Sequence, residues 1–152
     1  MVTEAHTFNN AADPDNPGWF HWTMTDTRRF NAHVLGKMMV RPEGDGRARL
    51  RMFPEMKHTN LMDNLHGGTI LSLIDVAMFA GARTFGLVEA GTAVTLDLSV
   101  QFIGAGVVDV PLDAEIELLK ETGRLLFLRG LIVQGETRVA AYSGTIRKPS
   151  KR

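Results

Sequence analysis

Cysteine is absent from the 152 residues of this chain. Its absence excludes disulfides, thiolate zinc sites and a cysteine nucleophile. Long hydrophobic runs are also missing: none approaches the roughly 20 residues that span a bilayer. The residues after Met1 are polar, unlike the apolar core of a signal peptide. We therefore expect a cytoplasmic protein of a reducing compartment with no membrane partner.

An excess of charge of either sign is missing too. Seventeen Lys and Arg balance seventeen Asp and Glu, so bulk charge does not favour nucleic acid as a partner. The five histidines have no close metal-ligand spacing, and we assign no metal. A Gly-x-Ser-x-Gly motif and a complete dinucleotide fingerprint are both absent.

The chain is most simply one domain. Residues 1–18, rich in Asn, Asp and Pro, are predicted as a flexible tail, and residues 19–152 as a single domain. The aromatic segment from Trp19 to Phe30 is predicted as a short amphipathic helix that packs on the sheet or, alternatively, covers a pocket.

Hydrophobic periodicity predicts one long helix and six strands. The helix runs from about His66 to Phe85, and the clearest strand alternates apolar and polar residues over Val94 to Phe102. The other predicted strands are 33–40, 47–53, 112–119, 125–133 and 139–146. Short links favour antiparallel neighbours, so we predict an α+β fold with a single helix packed on an antiparallel sheet.

The start of the helix is the most informative segment. His66-Gly67-Gly68 opens it, and the amides of a first helical turn lack intrahelical partners and attract negative charge. The Gly67 amide is thus a candidate oxyanion-hole donor, although the glycines can equally serve only a sharp turn. Asp75, two turns on among apolar residues, is a candidate general base or nucleophile, or a structural hydrogen-bonding group.

Helix geometry constrains how these two groups can act. Eight residues of α-helix span about 12 Å, so one chain cannot bring both Gly67 and Asp75 to the same carbonyl. If both act in one reaction, they come from two chains related by a two-fold axis. The catalytic hypothesis therefore predicts a homodimer.

Three further polar residues are candidates for the site. Asn60 can cap a turn or orient a water or a carbonyl, and His66 can cap the helix or contact the substrate. Thr95 and Asp97 are predicted on the polar face of the strand from Val94 to Phe102. Thr95 can face solvent there or point toward a water held by Asp75.

Two segments resemble the hotdog-fold acyl-CoA thioesterases of the PaaI-like type, within the 4-hydroxybenzoyl-CoA thioesterase superfamily. They are the segment from Asn60 to Asp75, which contains His66-Gly67, and the strand from Thr95 to Phe102. The resemblance implies an antiparallel sheet wrapped around one central helix, a dimer often paired into a homotetramer, and hydrolysis of an acyl-CoA.

By position, the resemblance implies that Asn60, His66 and Gly67 form one subunit's half of the site and that Asp75 and Thr95 form the other's. The basic residues Lys120, Arg124 and Arg147 are either solvated surface or a cradle for the phosphates of CoA, which is substrate rather than cofactor. Two alternatives remain: a non-catalytic acyl-CoA-binding hotdog module, and a hotdog enoyl-CoA hydratase or dehydratase. The acyl chain is a small, medium or aromatic one.

Overall fold

The computed structural model describes residues 8–89 and 92–150, which form one sheet and one long helix. The strands are β1 (Phe20–His21), β2 (Met38–Gly44), β3 (Arg47–Met52), β4 (Val94–Phe102), β5 (Leu112–Glu121), β6 (Leu125–Gln134) and β7 (Thr137–Arg147). The long helix, α1, is Gly67–Thr84, and two short turns of helix cover Asn31–Leu35 and Met56–His58. No helix in the described ranges has the length and apolarity needed to cross a membrane.

All strand pairs are antiparallel, in the order β1-β2-β3-β5-β6-β7-β4. The prediction of an antiparallel sheet with one helix is confirmed. The segment after β4 carries the chain across the sheet to β5, so these two strands are not neighbours and β4 lies at an edge.

The core lies between α1 and the sheet. Leu73, Ile74 and Met78 of α1 are fully buried against apolar side chains that alternate along the strands, as the helical and two-residue periodicities require. Gly144 leaves room for the thioether of Met78, because a Cβ at that position would overlap the sulfur. The helix therefore approaches the backbone of β7 closely at this point.

The N-terminal predictions are wrong. The segment from Trp19 to Phe30 is not an amphipathic helix, and residues 8–18 are not a free tail: Asn9 and Ala12 form isolated bridges with Thr23 and Phe20. The remaining residues of the predicted tail, 1–7, lie outside the described residues.

Local hydrogen bonds explain this N-terminal hairpin. Asp13 Oδ1 accepts the amides of Asp15 and Asn16, a side-chain turn that reverses the chain. Trp19 then packs on the sheet beneath Arg41 and Arg51, whose guanidinium carbons lie 4.7 Å from its ring centroid. The alternative in which the aromatic segment packs on the sheet is the observed one.

The predicted strand 33–40 starts later, at Met38, because residues 31–35 are helical and Gly36 turns the chain with a φ of 76°. The other predicted strands and the helix are confirmed to within about two residues, a normal uncertainty for element ends. β4 has the predicted bounds, Val94–Phe102.

β4 contains a β-bulge that the sequence pattern does not reveal. Thr95 pairs with Ile146, but Asp97 pairs with Thr145, so Leu96 is an extra residue on β4. Alternation is regular from Asp97 onward, and Thr95 consequently shares the helix-facing side with Leu98 and Phe102. The prediction that Thr95 and Asp97 lie on one polar face is wrong.

The ladder between β5 and β6 has a local opening. Paired residues stop at Ala114 and resume at Glu117. The hydroxyl of buried Tyr142 crosses over Gly130 and donates to the Glu115 carbonyl at 2.7 Å. Burial raises the pKa of Tyr142, so this donor keeps its proton.

Candidate active site

The N-terminus of α1 leaves one amide available. His66 is the N-cap; its Nδ1 accepts the Gly68 amide at 2.8 Å and its carbonyl accepts the amides of Thr69 and Ile70. Within the described residues, the Gly67 amide has no acceptor. It is partly exposed at the positive end of the helix. An oxyanion can therefore bind there.

The hydrogen bond to Gly68 also sets the state of the His66 ring. A backbone amide only donates, so Nδ1 is unprotonated and the neutral ring carries its hydrogen on Nε2. The His66 side chain is exposed. The residue before Gly67 thus carries a further N–H donor.

Asn60 organises the loop before the helix. Its Oδ1 accepts the amides of Met62 at 2.9 Å and Asn64 at 3.2 Å. The carboxamide oxygen is therefore occupied, and only the Nδ2 group is available to orient a water or a carbonyl. The role of Asn60 toward substrate stays a prediction.

His58 is a site-supporting residue that sequence reasoning missed. Its side chain is buried, accepts the Glu55 amide at Nδ1 and donates from Nε2 to the Val34 carbonyl at 2.6 Å. Its carbonyl accepts the His66 amide at 2.8 Å and the Thr69 hydroxyl at 3.1 Å. His58 therefore ties the helix start to the rest of the fold. A lone histidine in a loop gives no sequence signal for this role.

Asp75 and Thr95 are in direct contact. The Thr95 hydroxyl donates to Asp75 Oδ1 at 2.7 Å, and both residues are partly buried. The contact depends on the bulge at Leu96, which turns Thr95 toward α1. The sequence led us to expect Thr95 to point toward a water held by Asp75, whereas its hydroxyl bonds to the carboxylate itself; a role toward water stays a prediction.

Phe102 is the second residue that sequence reasoning missed. A Cβ built on Gly67 would lie 3.5 Å from the Phe102 ring, which is 55% exposed at the end of β4. A carbonyl held by the Gly67 amide would thus lie beside an aromatic ring. The alternation of β4 predicts an apolar residue here but not its proximity to the helix start.

Gly67 and Asp75 are not brought together within one chain. They belong to the same continuous helix, and eight residues of helix separate them by about 12 Å. The chain thus presents two half-sites: the Gly67 amide with His66 and Phe102, and the Asp75 carboxylate with Thr95.

The three basic candidates lie toward one end of the sheet. Arg147 pairs with Val94, next to Thr95, and with Leu125, which follows Arg124. Lys120 lies near the end of β5. All three are exposed, and none forms a salt bridge with another described residue. Their role toward the phosphates of CoA stays a prediction.

The described residues contain no group of three or more His, Asp or Glu side chains placed to hold a metal. An open cleft of about 350 Å³ lies on the outer face of the sheet, where Arg47 and Arg129 both pair with Glu117. A second, of about 450 Å³, lies between Lys37 and Val110. Neither cleft is lined by Gly67 or Asp75.

Comparison with known proteins gives a family match and several structural likenesses. The model of the Thioesterase superfamily matches residues 62–141, which include both half-sites. A protein of Schizosaccharomyces pombe named "Putative esterase C31F10.02" is 30% identical over 81 residues, which are 53% of this chain and 49% of that protein. The match thus spans about half the length of that relative.

Solved structures share the fold over most of the chain. The Escherichia coli PaaI protein of the phenylacetic acid degradation operon has a TM-score of 0.68 at 22% identity, covering 78% of this chain and 83% of its own. Conserved protein PA5202 of Pseudomonas aeruginosa has a TM-score of 0.66 at 26% identity, covering 79% and 94%. A hypothetical thioesterase of Streptococcus pneumoniae, solved with coenzyme A, has a TM-score of 0.66 at 21% identity, covering 76% and 90%.

Proposed function

The chain belongs to the thioesterase superfamily and has the hotdog fold, and from this premise we propose that it hydrolyses an acyl-CoA thioester to the free acid and CoA. The observation that carries the proposal is the pair of half-sites on α1: the Gly67 amide, which has no acceptor among the described residues, and the Asp75 carboxylate, which is held by Thr95. The first stabilises negative charge on a carbonyl oxygen and the second accepts a proton or attacks carbon.

Two mechanisms use these groups. In the first, the Gly67 amide binds the carbonyl oxygen of the thioester, and Asp75 takes a proton from water. The water oxygen attacks the carbonyl carbon, the C–S bond breaks, and the thiolate leaves as CoA. In the second, Asp75 attacks the carbonyl directly, expels the thiolate and forms an anhydride that water cleaves. In both, the Thr95 hydroxyl holds Oδ1 and leaves Oδ2 to react.

The two half-sites act together in a dimer. Since about 12 Å separates them on one helix, the Gly67 amide of one subunit works with Asp75 of the partner subunit. Two such helices lie antiparallel about a two-fold axis, which creates two equivalent sites. Dimers pair further into a homotetramer, as the resemblance to PaaI-like enzymes implies.

We propose that the nucleotide end of CoA binds the exposed basic residues Lys120, Arg124 and Arg147, near the Asp75 half-site. The pneumococcal structural relative was solved with coenzyme A, which agrees with this ligand. We propose a reaction without cofactor or metal, in which water is the second substrate and CoA is a product. The acyl group, small, medium or aromatic, lies toward Phe102, and the enzyme acts in the cytoplasm, where CoA esters are available.

The test is thiol release from a panel of acyl-CoAs of different length and aromaticity. A chain without cysteine adds no background to a thiol reagent. We expect Asp75→Asn to lower kcat by about 10²- to 10⁴-fold, the contribution of a general base. The isosteric amide still accepts the Thr95 hydroxyl, so circular dichroism and the oligomeric state serve as controls.

The same assay separates the alternatives. A binding module would bind acyl-CoA but release no thiol over long incubation, and a hydratase would consume an enoyl-CoA double bond without releasing thiol. Undiminished hydrolysis by Asp75→Asn would reject the role of this carboxylate, and no hydrolysis of any acyl-CoA by the unaltered protein would reject the activity.

A further inference from the structure

Gln134 is a buried residue whose side chain makes three hydrogen bonds to one loop. It is the last residue of β6 and is 8% exposed. Its Oε1 accepts the Val107 amide at 2.9 Å, and its Nε2 donates to the carbonyls of Val107 and Val110 at 2.8 and 3.0 Å. A backbone amide only donates and a carbonyl only accepts, so these partners fix the orientation of the carboxamide. Gln134 therefore anchors the crossover segment, residues 103–111, to β6.

The anchored crossover segment reaches the chain just before α1. The carbonyl of Gly106, the residue before Val107, accepts the Leu65 amide at 2.9 Å. A Cβ at Gly106 would lie 2.8 Å from Leu65 Cδ1, which is closer than such atoms approach, so the buried Leu65 side chain packs directly on the backbone there. Leu65 immediately precedes the N-cap residue His66. The crossover segment thus fixes the residue from which the chain enters the helix.

Two successive amides before Gly67 are held by two different segments. The Leu65 amide bonds to the crossover segment, as described above. The His66 amide donates to the carbonyl of His58, in the loop before the helix, at 2.8 Å. The next amide, that of Gly67, has no acceptor among the described residues. Because the peptide unit is planar, the direction of its N–H follows from the residues that flank it. The two bonds together therefore set the direction of the Gly67 N–H.

We propose that Gln134 is a positioning residue that aims the Gly67 amide at the thioester carbonyl through the crossover segment. The inference rests on the proposed function, because the direction of this amide matters to the reaction only if it stabilises an oxyanion. Gln134 lies outside both half-sites, and its side-chain bonds go to Val107 and Val110. It acts on the reaction through the backbone that it holds, and not by contact with the substrate.

The expected effect is on kcat and not on KM. An oxyanion donor stabilises charge that develops in the transition state, and a displacement of about 1 Å caused far from the chemistry can cost about 100-fold. Gln134→Met keeps the length of the side chain but removes all three hydrogen bonds. We expect this variant to lower kcat by about 10- to 100-fold with little change in KM.

Tyr142→Phe is the matched control for lost stability. It also removes a side-chain bond from a buried residue to a backbone carbonyl, but that carbonyl belongs to Glu115 in β5 and not to the crossover segment. Thiol release by this control should keep the kcat of the unaltered protein. A loss of kcat in Gln134→Met that Tyr142→Phe does not share is then an effect of position and not of general destabilisation.

The deciding measurement is a double-mutant cycle with Gly67→Pro. This substitution removes the amide hydrogen at the first helical position, where proline is tolerated. If Gln134 acts through that amide, adding Gln134→Met to Gly67→Pro should lower kcat by less than about twofold, whereas the effects of independent sites multiply. Multiplying effects, or an unchanged kcat in a folded Gln134→Met protein, would overturn the positioning role.

A second variant keeps the test decisive if Gln134→Met does not fold. Gly106→Ala leaves Gln134 intact and places a methyl group against the Leu65 side chain, at the other end of the same connection. It should give the same loss of kcat and the same lack of additivity with Gly67→Pro. An unchanged kcat in Gly106→Ala would contradict the proposal.

Amide hydrogen exchange separates this inference from the proposed function. We expect the Leu65 amide to exchange at least about tenfold faster in Gln134→Met, while amides in the middle of α1 keep their protection. Faster exchange at Leu65 in a protein that hydrolyses no acyl-CoA would refute the thioesterase proposal while confirming that Gln134 positions the chain before Gly67. Hydrolysis that depends on Gly67 and Asp75 but not on Gln134 would refute only the positioning role.

Discussion

Replacing Gly67 by proline removes the proposed oxyanion donor with little change to the helix. Gly67 is the first residue of α1, the position where proline is tolerated best because its missing N–H has no intrahelical acceptor. His66, at φ −65° and ψ 139°, already has the extended conformation that precedes a proline. The substitution therefore deletes one hydrogen atom from the site and adds a ring beside it.

The expected cost falls on catalysis rather than on stability. Loss of one oxyanion-hole donor lowers kcat by about 10²- to 10³-fold, or about 2.7–4 kcal/mol of transition-state stabilisation. Stability should stay level or rise by about 0.4–1 kcal/mol, because proline restricts the unfolded chain and no hydrogen bond of the Gly67 amide is lost within the described residues.

The assay is steady-state thiol release with the acyl-CoA that the unaltered enzyme hydrolyses best, together with urea unfolding. Gly67→Ala is the matched control: it keeps the amide and adds a methyl group at an ordinary 3.5 Å from the Phe102 ring, so it should lose far less activity. A Gly67→Pro enzyme that is folded, dimeric and as active as Gly67→Ala would refute the oxyanion role of this amide.

Two further predictions concern hydroxyl groups. Thr95→Val should lower kcat by about 10- to 100-fold, because Asp75 Oδ1 loses its donor and a hydrogen bond to a charged group contributes roughly 1.5–3 kcal/mol. Thr95→Ser keeps the hydroxyl and should retain most of the rate. Equal rates for the valine and serine variants would contradict this reasoning. Tyr142→Phe should lower the free energy of unfolding by about 1–3 kcal/mol, because the Glu115 carbonyl loses its partner. Urea unfolding measures the second effect, and an unchanged midpoint would mean that water satisfies the carbonyl.

Periodicity accounts for what the sequence could predict of the fold. The 3.6-residue pattern after His66 and the two-residue pattern of β4 each reflect one buried face, and both elements appear with nearly the predicted bounds. The strand beside the helix does bring Thr95 to Asp75, but its hydroxyl bonds to the carboxylate rather than to a water that the carboxylate holds. The bounds of the helix and of β4 depend on residues close in sequence. The position of Thr95 near Asp75 depends only on β4 lying beside the helix.

The missed features depend on contacts between distant segments. The aromatic pattern around Trp19 predicts an amphipathic helix, but Trp19 packs on the sheet beneath Arg41 and Arg51, which belong to two later strands. The buried His58 side chain has its hydrogen-bond acceptor, the carbonyl of Val34, 24 positions earlier in the chain. Local sequence patterns do not reveal such distant partners, so the positions of Trp19 and His58 do not follow from the sequence alone.

Leu96 changes how position numbers along β4 translate into directions. Upstream of it odd-numbered Thr95 faces the helix; downstream the even-numbered residues do. A length change in the loop before β4 would leave these directions intact, whereas one inserted or deleted residue between Thr95 and Asp97 would move the threonine hydroxyl to the solvent side. Residue-by-residue comparison with relatives must therefore place its gaps on the correct side of this leucine, or it will match side chains that project from opposite surfaces.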